Sequence, residues 1–191
     1  NILAMTFTNK AAKEMLERVH KLVGDRAAKA LSVSTFHRFG LSVLTAEARA
    51  LGMRGGKFVI FDQADCSGVV REAMRGLRAN RSFDVGAILG RISVAKNAFL
   101  DPEHYERELS RAGLEPSEYD AITAEVYPRY VAMMRGFQAF DFDDLICGVV
   151  KLWRDRPDVL EKYRMRFRYV IVDEYQDTNQ SQLELLRLLA G

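Results

Sequence analysis

The stretch Arg168-Tyr-Val-Ile-Val-Asp-Glu-Tyr-Gln-Asp-Thr-Asn-Gln180 decides the reading of this chain. Its apolar, β-branched run from Tyr169 to Val172 ends abruptly in two adjacent carboxylates, Asp173 and Glu174. A short continuous run of this kind suits a central parallel strand covered on both faces. Open parallel sheets bind their ligands at the carboxyl ends of the strands. Mg²⁺ prefers one or two carboxylates and water, and takes its other ligands from nucleotide phosphates, so Asp173 is a candidate Mg²⁺ ligand. Glu174 is then placed to orient or deprotonate an attacking water. The plain alternative is a polar turn in which Asp177 or Thr178 caps the next helix. Gln176 and Asp177 in succession go beyond what a solvent turn needs, whereas a site that senses a γ-phosphate needs several polar groups.

Working outward, the 191 residues are 48% hydrophobic, enough for a buried core in one domain with an insertion or in two small ones. The formal net charge of +2 is near neutral, so any nucleic-acid footprint must come from local clustering. Cys66 and Cys147 stand far apart, without CxxC spacing or His companions, and read as buried thiols of a reducing compartment. No apolar run approaches the ~20 residues of a membrane span, and the amino end does not have the pattern of a signal peptide. A cytoplasmic location is expected.

The first residues, Asn1-Ile-Leu-Ala-Met-Thr-Phe-Thr8, already read as a strand, so the chain is expected to be a fragment. Thr8 or Asn9 can cap a helix with Met15, Leu16, Val19, Leu22 and Val23 on one face. Glu14 to Arg18 and Glu17 to Lys21 are spaced for ion pairs on it. The turn Phe7-Thr8-Asn9-Lys10 sets an aromatic ring, a hydroxyl, an amide and an ammonium at a helix amino terminus, which itself favours phosphate. The same residues also suit a core phenylalanine with a simple cap. A second unit follows at once, with a strand over Leu31 to Thr35 and a helix that buries Phe36, Phe39, Gly40, Val43 and Leu44. Ser34, Thr35 and His37 sit at its turn, and the spacing gives His37 a contact role rather than a catalytic one.

Four segments occur in order along the chain: Ala4-Met-Thr-Phe-Thr-Asn-Lys-Ala-Ala-Lys-Glu-Met15, Ser34-Thr-Phe-His37, Phe140-Asp-Phe-Asp-Asp-Leu-Ile146 and Val172-Asp-Glu-Tyr-Gln-Asp-Thr-Asn179. Together they resemble the superfamily 1 DNA helicases of the UvrD, PcrA and Rep group. They look like motifs Ia and Ib, the segment that closes the inserted subdomain, and motif II. The run from Leu41 through Leu51-Gly-Met53 to Phe61-Asp62 looks nearest to Rep. The resemblance implies an α/β RecA-like parallel sheet, present in part, with an all-helical insertion. It implies an ATP-dependent 3′-to-5′ translocase or helicase in replication restart or repair, with ATP and Mg²⁺ as cofactors. Its implied partners are single-stranded DNA, single-/double-strand junctions, and replication or repair proteins. By the same resemblance, Glu174 and Gln176 are catalytic, Asp173 and Glu174 contact ATP, and Asp173 holds Mg²⁺. Phe7, Thr8, Asn9, Lys10, Ser34, Thr35, Phe36 and His37 contact DNA.

The parts divide as 1–57 and 139–191 for the sheet domain and 58–138 for the insertion, which reads as helical throughout. Asp62 and Asp65 mark one helix start, and Val85, Ile88, Leu89 and Ile92 mark another. Asp101-Pro102 is a cap followed by proline at the first helical position. Gly113 suits a carboxyl cap. Ile122, Val126, Tyr130, Met134 and Phe137 share a face of a longer helix, with a kink or restart expected at Pro128. Arg71, Arg75, Arg78, Arg81, Arg91 and Lys96 offer a duplex-backbone surface, each also readable as a solvated charge. Asp141 to Asp144 open a last helix with Leu145, Ile146, Val149, Val150 and Trp153 buried, the carboxylates acting as caps and anchors.

No Gly-x-x-x-x-Gly-Lys-Ser/Thr occurs in the sequence, and the family places that phosphate cradle upstream of Asn1. The isolated piece is therefore expected to have little or no ATPase activity. A non-catalytic DNA-binding or docking module, or the motor part of a helicase-nuclease, are the other readings.

Overall fold

The strand Ile2–Thr6 (β1) buries its last four residues, because it has a parallel neighbour on each side. These are Leu31–Thr35 (β2) and Tyr169–Val172 (β5), in the order β2-β1-β5. The computed structural model describes residues 2–28, 30–77, 82–111 and 117–191. They form two compact units, one of residues up to Leu51 together with Leu145–Gly191, the other Gly52–Asp144. The insertion read as 58–138 lies inside the second. Among the described residues no helix is long and apolar enough to cross a membrane.

In the first unit, the described residues supply β5 with one neighbour, β1, and leave Tyr169 65% and Ile171 54% exposed, so the two-sided cover expected of it does not come from this stretch of chain. The helix Asn9–Ala28 (α1) half-buries Met15, Leu16 and Val19. Leu22 and Val23, expected on the same inner face, are instead exposed. Helical geometry breaks at Gly24, directly after them, and Ala28 beyond the break is buried again. The ion pairs also differ, being Lys10–Glu14 and Lys13–Glu17 rather than pairs to Arg18 and Lys21.

Phe36–Ala46 (α2) buries the five residues expected of it. Asp144–Asp155 (α7) buries Leu145, Ile146, Val149, Val150 and Trp153 as expected, and Leu152 besides. The two helices approach so closely at Gly40 that a Cβ there would lie 1.9 Å from the Leu145 carbonyl oxygen. Pro157–Arg166 (α8) has proline in its first turn. The Tyr163 ring on it and that of Phe167 just after it meet Phe39 edge-on. Gln180–Ala190 (α9) follows β5 and buries Leu185, Leu186 and Leu189.

The second unit consists of Gln63–Ala73 (α3), Val85–Asn97 (α4), Pro102–Arg111 (α5) and Glu118–Gly136 (α6). Their apolar faces meet in a core that includes Val70, Ile88, Ile92, Val126 and Tyr130. Asp62 and Asp65 form a capping box, and the Asp101 carboxylate accepts from the His104 N–H at 2.8 Å. The expected cap at Gly113 lies outside the described residues. Helix α6 runs through Pro128 without restarting. A mid-helix proline costs ~3 kcal/mol, but Val126, Tyr127 and Tyr130 are buried on both sides of it, each contributing ~1.5–3 kcal/mol by removal from water. Phe137, at the helix end, is 54% exposed. The unit is not wholly helical. Val59–Ile60 (β3) pairs in parallel with Ala139–Phe140 (β4), each strand too short to leave a periodic signal.

Lys96, at the end of α4, reaches both Asp141 and Asp144, at 2.6 and 2.7 Å. The two carboxylates also exchange bonds with each other's backbone N–H groups, and Asp141 accepts the Tyr130 hydroxyl at 2.8 Å. Burial works against the Lys96 ammonium, yet its two carboxylates outweigh burial and raise its pKa. One ammonium cannot neutralise two carboxylates. Burial pushes the Asp144 carboxyl up to about 6, with Lys96 opposing and the Asp141 charge adding to the rise.

Gly40→Ala should cost about 3 kcal/mol or prevent folding, because the obstructing atom is backbone. Gly148→Ala, whose Cβ would meet Leu44 at an ordinary 3.5 Å, should be neutral or gain up to ~1 kcal/mol; urea midpoints of the two variants check the contrast. For Asp144, a folded pKa raised above the unfolded value stabilises fully below the unfolded value and is lost as pH rises through about 6. Between pH 5 and 7.5 the wild-type chain should lose on the order of 1 kcal/mol that Asp144→Asn does not lose. Lys96→Met, which leaves both buried carboxylates without a cation, should cost ~3–5 kcal/mol at pH 7.5.

Candidate functional site

Parallel register sets the ends of the three strands of the first unit side by side. Thr6 of β1 is the partner of Thr35 in β2, and Met5 is the partner of Val172 in β5. One residue on, the Asp173 N–H donates to the Met5 carbonyl at 3.0 Å, which carries the alignment into the acidic segment. The residues singled out from the sequence, 7–10, 34–37 and 173–176, therefore lie at one end of one sheet.

Asp173 and Glu174 are both exposed. Glu174 has left-handed backbone, φ 52° and ψ 46°, a conformation that costs an L residue ~1–2 kcal/mol and is found disproportionately at functional sites. Its carboxylate accepts from the Gln176 side-chain amide. A short 3₁₀ turn, Tyr175–Asp177, follows, closed by the Asp177 N–H to the Glu174 carbonyl at 2.9 Å. The cap of α9 is Asn179, in a capping box with Gln182, and not Asp177 or Thr178. The acidic segment is thus free of capping duty. Among the described residues no group of three or more His, Cys, Asp or Glu is arranged to hold an ion. The exposed Asp173 and Glu174 offer the one or two carboxylates through which Mg²⁺ is held when phosphate oxygens and waters supply the rest.

At the β1 end, Thr8 caps α1 by accepting the Ala11 N–H at 3.1 Å, and Thr8, Asn9 and Lys10 are exposed. Phe7 is half-buried, its ring 5.5 Å from that of Phe36 and tilted by 45°. At the β2 end, Thr35 is buried and caps α2 through the Arg38 N–H at 3.2 Å. Phe36 is only 1% exposed. The side chains of Thr35 and Phe36, expected among the DNA contacts, are therefore turned to holding the turn together. Ser34 and His37 are half-buried. Two helix amino termini, the favourable ends of their dipoles for an anion, begin at this same end of the sheet.

Of the basic residues expected to form a surface on the insertion, Arg71 is exposed and the others described are paired. Lys96 is buried in its carboxylate pair, Arg91 holds Asp120 at 2.9 Å, and Arg75 holds Glu72 at 2.8 Å. Arg78 and Arg81 lie outside the described residues. Cys66 is buried and Cys147 half-buried, and neither is in a disulfide. Sequence reasoning passed over Thr6, 1% exposed, whose hydroxyl donates to the Thr8 carbonyl at 3.1 Å. The Thr-x-Thr spacing at a strand end was its signal. The backbone of Glu174 left no signal in the sequence.

A parallel sheet with an acid pair at one strand end and helix amino termini at the ends of its neighbours is an open α/β arrangement of the kind that binds ligands at its strand ends. Residues 1–191 match the UvrD/REP helicase N-terminal domain, and the chain belongs to that family. It is 40% identical over 191 residues to the ATP-dependent DNA helicase PcrA of Bacillus subtilis strain 168, covering all of this chain and 25% of the relative. The PcrA of Leuconostoc citreum is 39% identical over 190 residues, 99% of this chain and 24% of the relative. That of Staphylococcus aureus strain Mu50 is 38% identical over 192 residues, again 25% of its length. The chain thus spans about a quarter of the length of the curated relatives it matches.

Proposed function

We propose that this chain is part of the first motor domain of an ATP-dependent, 3′-to-5′ translocase or helicase on single-stranded DNA, working at single-/double-strand junctions in replication restart or repair, in the cytoplasm. The observation that carries the reading is the strand-end alignment, which sets an acid pair beside two phosphate-favouring turns. Asp173 would hold Mg²⁺, which supplies charge neutralisation on the nucleotide phosphates when bound. Glu174 orients and deprotonates the attacking water, and Gln176 fixes the glutamate carboxylate through its amide. Phe7, Thr8, Asn9 and Lys10, with Ser34 and His37, contact the DNA backbone and bases, while Thr35 and Phe36 shape those contacts from below. The relatives, all named ATP-dependent DNA helicases, support this reading of the whole protein.

Glu174→Gln in the full-length protein tests it. Nucleotide affinity should stay within about threefold while turnover falls roughly 100-fold or more, the range general-base catalysis supplies. Steady-state ATPase with and without DNA, alongside nucleotide titration, reads both. Turnover within a few fold of wild type would remove Glu174 from the chemistry.

A further inference from the structure

We propose that Thr6 is a positioning residue for DNA contact, and that its buried hydroxyl fixes the Phe7–Lys10 turn in its binding conformation. The inference rests on the DNA-contact role assigned above to that turn. Thr6 closes the central strand and is bracketed by sheet on both sides. Its Cα partner on one side is Thr35, and on the other the preceding residue's carbonyl holds the Asp173 N–H. The strand end is therefore a fixed point.

From that fixed point a single side chain reaches forward. The Thr6 hydroxyl donates to the Thr8 carbonyl at 3.1 Å, which also accepts the Ala12 N–H at 3.0 Å as a helix bond of α1. A carbonyl has two lone pairs, and both are used here. Thr8 is tied backward to the strand and forward to the helix, and Phe7 is held between two anchored residues. Its ring is then backed by Phe36, which is itself buried. Removing the Thr6 hydroxyl leaves the helix bond intact and the Thr8 cap satisfied, so the turn loosens while the fold remains. A looser turn must be ordered when DNA binds, which lowers affinity without altering the contacts themselves.

The experiment compares Thr6→Val, Thr6→Ser and Phe7→Ala in the full-length protein, using a fluorescently labelled oligo-dT and DNA-stimulated ATPase. Thr6→Val should raise the Kd for oligo-dT about fivefold, the loss expected of one hydrogen bond. The DNA concentration for half-maximal stimulation should rise equally, with kcat at saturating DNA unchanged. Thr6→Ser should restore wild-type affinity, and the melting temperature of Thr6→Val should stay within about 4 °C of wild type. A role confined to stability would move the melting temperature and leave the split between half-saturation and kcat untouched. If Thr6→Val does not fold, Thr6→Cys, of similar size with only a weak donor, carries the same comparison. Wild-type affinity in Thr6→Val beside weakened binding in Phe7→Ala would overturn the role of Thr6 and leave the DNA-contact reading standing. Wild-type affinity in both would overturn both.

Discussion

The parallel register of three strands is the constraint on which the candidate site depends. Because Thr6 lies opposite Thr35 and Met5 opposite Val172, three strands from distant parts of the sequence stop at one level. Hydrogen bonding between strands fixes that level. A one-residue slip would turn every side chain of the slipped strand to the other face of the sheet, and would move Asp173 away from the end of β1. The polar groups at the strand ends thus inherit their mutual positions from backbone bonds in the sheet interior. Exposed side chains alone could not hold such an arrangement.

A different kind of constraint shapes the second unit. There the chain leaves the helical core through a two-residue parallel pair and the Asp141–Asp144 segment, which Lys96 grips from α4. An ammonium shared by two buried carboxylates is not an efficient source of stability, because the desolvation of three charges offsets much of their attraction. It is a specific one. The ammonium, the Tyr130 hydroxyl and the reciprocal backbone bonds are directional, so the exit segment has one satisfied arrangement where a greasy contact would allow several.

The sequence disclosed the elements whose signals are local. Capping residues at Asp62 and Asp101, the apolar faces of α2 and α7, and the abrupt end of the Tyr169–Val172 run in carboxylates were all legible, because each depends on neighbours within a turn or two. The features it hid depend on contacts far along the chain. Leu22 and Val23 followed the helical period yet are exposed just before the break at Gly24. Pro128 signalled a kink or restart, and no restart occurs in a helix that buries Val126 and Tyr130 on either side of it. Lys96 looked like a surface charge because its partners are more than forty residues away. Within the candidate site, residue types at 7–10, 34–37 and 173–176 were readable. The burial of Thr35 and Phe36, the left-handed Glu174 and the tie from Thr6 were not, since each arises only when the strands align.

Hydrogen–deuterium exchange of the full-length protein, with and without oligo-dT and separately with a Mg²⁺-bound, non-hydrolysable ATP analogue, tests the central claim that one sheet edge serves both ligands. DNA should slow exchange at the backbone amides of residues 8–12 and 36–39, and the nucleotide should slow it at 173–177. DNA protection confined to other segments, with 8–12 and 36–39 exchanging as in the free protein, would contradict the account.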